Sequence, residues 1–207
     1  MRNKIVIGVM GVFLCCGGLT QAVPITIQIT GNVTSASGSA LPATIYQGVT
    51  FTGTYTYDSS AIVSAGGHHW QDAPYGITLS LGGYQFETAP NQIGQFDMWI
   101  TNDDIGNGVK DFYLARSFEN ISSSSLGLTD NSIIWELWDT THTALSSDAL
   151  PVTAPSLANW DYNVLKISGY GNGGLTIWGT VTQATLVPEP VTGILMAMGA
   201  FFLRRRR

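Results

Sequence analysis

Val49-Thr50-Phe51-Thr52-Gly53-Thr54-Tyr55-Thr56-Tyr57 alternates along its whole length, with Val49, Phe51, Tyr55 and Tyr57 at odd positions and four threonines at even ones. Successive side chains of a strand point to opposite faces, so this stretch predicts a half-buried strand with an aromatic inner face. Asp58-Ser59-Ser60 ends it with turn formers. Upstream, Ile25-Thr26-Ile27-Gln28-Ile29-Thr30 alternates in the same way, whereas residues 32–43, rich in Ser, Gly and Ala, read as a loop or a weak edge hairpin.

Strands are also predicted at residues 75–81 and 84–87, joined by Gly82-Gly83, and at 96–101, 111–116, 133–138, 163–170 and 175–183. Residues 122–125 and 139–159 read as loops, the latter with Pro151 and Pro155, and residues 171–174 (Gly-Asn-Gly-Gly) as a turn. No amphipathic helix is evident. The chain therefore predicts an all-β body of about nine to ten strands, a β-sandwich or jelly-roll-like fold over residues 23–186.

Composition agrees. Of 207 residues 11% are aromatic, which argues against disorder, and only 11% are charged, which argues against long solvent-facing helices. Residues 23–186 carry three cations, Lys110, Arg116 and Lys166, against thirteen carboxylates, a net charge of −10. Such a body repels phosphate backbones, and nucleic acid is not expected as a partner.

Both ends have a different character. Arg2 and Lys4 precede an apolar run over residues 5–19, and Thr20-Gln21-Ala22 offers small residues where a signal peptidase cuts, so cleavage is expected after Ala22. Both cysteines, Cys15 and Cys16, fall in this leader without the small residue that precedes a lipidated cysteine, and the mature chain would hold no disulfide. At the other end, Pro188-Glu189-Pro190 precedes an apolar run over residues 191–203 and the cluster Arg204, Arg205, Arg206 and Arg207. Thirteen apolar residues reach about 20 Å as a helix against ~30 Å of hydrocarbon, which suits a temporary inner-membrane hold by a short transmembrane helix. The arginines are expected to stay cytoplasmic.

Residues 187–207 resemble the sorting tail of PEP-CTERM proteins, exopolysaccharide-associated bacterial surface proteins handled by exosortase; such tails also occur on some ice-binding proteins. The run Phe51-Thr52-Gly53-Thr54-Tyr55-Thr56-Tyr57-Asp58 is similar to a segment that opens the β-rich body of many of them. The resemblance implies export, cutting near Pro188-Glu189-Pro190 by an exosortase-like enzyme, and release to the cell envelope or extracellular matrix, with biofilm polysaccharide as a partner.

Candidate sites in the body are scattered. Trp138 and Trp178 are expected to face outward from their strands as a carbohydrate platform, with Trp70 and Trp160 as loop candidates, because sugar rings stack on exposed aromatic faces. Asp103, Asp104, Asn107 and Asp111 gather oxygen ligands that would suit calcium, but the same residues are what a hairpin turn favours, and no other cofactor is expected. His68-His69 would converge on a metal only from a loop, since a strand splits them. Asp97, Glu119 and Glu136 are the carboxylates available to a surface glycan hydrolase, the principal alternative, which needs two held ~5–9 Å apart. No nucleophile elbow, zinc-protease helix or phosphate loop occurs, so a non-enzymatic protein is expected. Thr50, Thr52, Thr54 and Thr56 would suit a further alternative, an ice-binding or adhesin-like face, but on one strand they lack a regular repeat.

Overall fold

The computed structural model describes residues 24–64, 66–90, 93–103, 110–122, 126–171 and 173–188. The signal helix expected before Ala22, Glu189, Pro190, the apolar tail and the arginine cluster lie outside them. Among the described residues no helix is long and apolar enough to cross a membrane.

The fold is all-β, as expected. Eleven strands form one antiparallel sheet: β1 (Pro24–Ser37), β2 (Thr50–Asp58), β3 (His68–Gln71), β4 (Gly76–Leu81), β5 (Tyr84–Thr88), β6 (Phe96–Thr101), β7 (Asp111–Phe118), β8 (Asn120–Ser122), β9 (Thr129–Asp139), β10 (Tyr162–Tyr170) and β11 (Leu175–Leu186). Their order is β3-β6-β7-β9-β10-β11-β1-β2-β4-β5-β8. The count exceeds nine to ten because the two edge strands, β3 and β8, are too short to show alternation. The segment from residue 32, expected to be a loop or a weak edge hairpin, instead continues β1 to Ser37 and pairs with β11.

The sheet curls on itself. Tyr55 of β2 lies five strands from β7 in the sheet order, yet its hydroxyl is 2.6 Å from that of Tyr113 across the interior, and its ring meets Trp135 of β9 edge-on at 5.7 Å. Burial pushes the pKa of both tyrosines well up, so this pair stays neutral and hydrogen-bonded inside the core. Around it pack Ile27, Ile29, Phe51, Leu79, Met98, Leu137 and Ile177, all inward members of alternating strands.

A corner links β7, third in the sheet order, to β8 at its far end. β7 turns at Glu119, which adopts a φ of 52°, and continues as β8 along β5. Asn131 fixes the turn: its Oδ1 accepts from the Asn120 amide at 2.8 Å, its Nδ2 donates to the Asn120 carbonyl at 2.7 Å, and its own carbonyl accepts from the Glu119 amide at 3.0 Å. A bend of this kind lets one strand serve two parts of a folded sheet.

Candidate functional site

Paired residues of antiparallel strands share a face, so the registers set outward side chains in transverse rows. One row runs Trp70, Asp97, Arg116, Ile134, Lys166, Trp178 across β3, β6, β7, β9, β10 and β11. At ~4.8 Å per strand, its five steps span about 24 Å between tryptophans. Beside it runs His68, Trp99, Leu114, Glu136, Val164, and next to that Thr101, Phe112, Trp138, Tyr162.

The short strand β3 supplies the first side chains. Its four residues alternate out and in, placing His68 and Trp70 on the outer face and burying His69 and Gln71. The two histidines therefore do not converge on one ion: His68 Nδ1 is 2.8 Å from Asp97, while the ring nitrogens of His69 lie 3.1 and 3.2 Å from the carbonyls of Ala61 and Asp148. His68 stacks on Trp99 with centroids 4.3 Å apart and on Trp70 at 5.9 Å.

Asp97 is wholly buried beneath these rings, and one of its oxygens accepts from Arg116 Nη2 at 2.8 Å as well as contacting His68. Its second oxygen, Arg116 Nε, Trp99 Nε1, Thr101 Oγ1 and Trp138 Nε1 are buried without a hydrogen-bond partner among the described residues. Buried polar groups are normally paired, and all these atoms belong to the three rows. The face thus holds donors and an acceptor beyond those its own contacts use.

Every cation of the body lies on an aromatic ring here. Lys110 Nζ is 3.6 Å from the centroid of Trp138, Lys166 Nζ is 5.0 Å from Trp178, and the Arg116 guanidinium lies 4.8 Å from Phe118 and 5.9 Å from Trp70. Burial raises the pKa of Glu136, and the charge of Lys110 partly counters it.

The expected tryptophans divide. Trp70 and Trp178 are exposed, at 45% and 38%. Trp138 faces outward, but Lys110 covers it and Tyr162 leans on it at 4.2 Å, so it is not a bare platform. Trp160, expected as a loop platform, is turned the other way: it packs against the core, edge-on to Tyr113 at 6.2 Å. Trp99, Arg116 and Lys166 were not expected as members of a site, and His68 was weighed only as a metal ligand beside His69. Alternation in β6 places Trp99 and Asp97 opposite Phe96 and Met98, but only the register sets them beside β3 and β7.

The remaining sequence candidates lie apart from these rows or are already engaged. Asp103, Asp111 and His142 bring one ligand atom each within 4.8 Å of one another, while Asp104 and Asn107 lie outside the described residues. Both Asp111 oxygens already accept amides, from Asp103 at 3.2 Å and Leu145 at 2.8 Å, and calcium sites take oxygen ligands in place of imidazole. Glu119 sits at the β7–β8 corner, away from Asp97 and Glu136. Those two are two strands and two residues apart on one face, about 12 Å between Cα atoms. The threonines of β2 gain neighbours, since Thr26 and Thr30 of β1 and Thr78 and Ser80 of β4 pair with Thr56, Thr52 and Thr54 to give a hydroxyl-lined half of the outer face.

Comparison with family models, curated proteins and solved structures finds no match.

Proposed function

We propose that the chain is an exported surface or matrix protein, sorted through a PEP-CTERM-like tail, whose sandwich-like body binds polysaccharide without hydrolysing it. The observation that carries this is the row from Trp70 to Trp178, two exposed indoles about 24 Å apart with hydrogen-bonding groups between them. Stacking rings joined by a few fixed polar groups are what an extended sugar chain requires, because its rings have apolar faces and hydroxyl edges.

The placement of the described ends supports the same reading. Ile27 pairs with Leu186, and the Val187 amide donates to the Thr26 carbonyl at 2.8 Å, so β1 begins where β11 ends. A leader and a tail that both serve a membrane would thus approach the body at one end. The row lies about 30 Å along β11 from Val187, on a part of the body that such an attachment leaves clear.

Two experiments test the proposal. Trp70→Ala and Trp178→Ala should each weaken retention on matrix polysaccharide about tenfold, with no sugar released by the parent chain. Unchanged retention, or reducing ends appearing in the incubation, overturns the binding reading. Deleting residues 188–207 should block processing and change the cell fraction in which the protein is found; identical processing and location overturn the sorting reading.

A further inference from the structure

From the placement of the cations we infer that the polysaccharide taken by the outer face is a carboxylated one, a uronic-acid polymer whose carboxylates pair with Arg116, Lys166 and Lys110. This rests on the polysaccharide reading of the same face and narrows it to one ligand chemistry.

The body carries thirteen carboxylates and three cations, and a random scatter of those cations would mark no region. Instead all three lie on the β7–β9–β10–β11 part of one sheet face, each against an aromatic ring. Among the described residues only two carboxylates, Asp97 and Glu136, stand in its rows. Arg116 already holds Asp97, and neither lysine forms an ion pair with a carboxylate among the described residues. The two lysine ammonium groups thus remain as donors toward an acidic ligand, beside the part of the Arg116 guanidinium that stays exposed above its Asp97 contact.

Geometry separates an acidic sugar from a neutral one. A neutral sugar needs a bare ring, yet Lys110 occupies the face of Trp138. An indole that carries an ammonium presents a charge held in place, and this lowers the ordering cost of pairing it with a carboxylate. Arg116 and Lys166 stand in a single row two strands apart, about 10 Å, between the exposed indoles at its ends. Between its end rings the row thus sets two cations separated by Ile134, with Asp97 buried beneath Arg116, and it suits a chain that alternates apolar ring faces with carboxylates.

The test uses the full-length chain in mild detergent, with three immobilised probes: polygalacturonate, the same polymer after chemical reduction of its carboxyls to alcohols, and dextran. The inference expects retention on polygalacturonate that falls on carboxyl reduction and as salt rises. It also expects Lys110→Gln/Lys166→Gln to weaken that retention about tenfold, the product of two exposed ion pairs, while circular dichroism stays unchanged. This double variant leaves the Asp97–Arg116 pair intact, so folding does not confuse the result. Equal retention on reduced and unreduced polymer, lost in Trp70→Ala and kept in the lysine variant, overturns the inference and leaves polysaccharide binding standing. Retention on none of the probes, together with none on matrix polysaccharide, overturns both.

Discussion

Replacing Asp139 by alanine is expected to destabilise the protein by about 3–5 kcal/mol, because it strips the acceptor from five donors at once. Asp139 ends β9 with its carboxylate turned inward, 1% exposed, directly opposite the buried Asp111 of β7. Two facing carboxylates would repel. Both are instead satisfied by backbone and hydroxyl donors: Asp111 by the amides of Asp103 and Leu145, and Asp139 by the Thr141 amide and hydroxyl at 2.7 and 2.6 Å, the Thr143 amide and hydroxyl at 2.7 and 3.3 Å, and the Ala144 amide at 3.0 Å. Burial by itself raises the pKa of Asp139, but the bonds from Thr141, Thr143 and Ala144 outweigh it and hold the carboxyl well below the usual range.

A folded pKa below the unfolded one means that the stabilisation is fully present above the ordinary carboxylate pKa, and is lost as pH falls through the lowered folded value. Urea unfolding should therefore show Asp139→Asn well below the parent at pH 7, with the gap narrowing as pH drops below about 4. A gap of equal size at pH 7 and pH 3 would show that the charge contributes nothing. The longest irregular connection depends on this anchor, together with Asp111 on Leu145 and Asp148 on the Asn102 amide at 2.6 Å.

Gly31→Ala should cost about 3 kcal/mol for a different reason, which is space. A Cβ there would lie 2.2 Å from the Thr180 carbonyl oxygen and 2.3 Å from the ring of Phe51. The Phe51 ring packs over Gly31 and also over Gly179, where a Cβ would meet it at 2.7 Å. The two sites differ in what obstructs them. Phe51→Leu should relieve most of the cost of Gly179→Ala, where the ring is the closest obstruction and the Asn32 carbonyl oxygen stands off at 3.0 Å, and should leave Gly31→Ala nearly as unstable, because the Thr180 carbonyl of β11 stands in the way at 2.2 Å. Rescue of both by Phe51→Leu in thermal unfolding would overturn this account of the β1–β11 contact.

Legibility followed the length of each element. β2, β9 and β11 each run nine or more residues, so their alternation averages over many positions and names the inward residues, among them Tyr55, Trp135 and Ile177, correctly. β3 has four residues and β8 three, and His68-His69-Trp70 after two glycines looks like a loop until β6 pairs with it. The outward direction of Trp178 and Trp138 was readable from period two, but not the ammonium on Trp138, which comes from Lys110 just ahead of β7. Trp160 carries no periodic signal, and tertiary packing turned it to the core.

By itself the sequence determined the all-β class, the inner and outer faces of the long strands, and the acidic balance of the body, because period two and charge are local properties of the chain. Only the tertiary structure decided that Trp70, Arg116, Lys166 and Trp178 stand in one row. Their alignment is the product of five successive strand registers between segments distant in sequence, and a slip of one residue in any of them would turn a side chain to the opposite face.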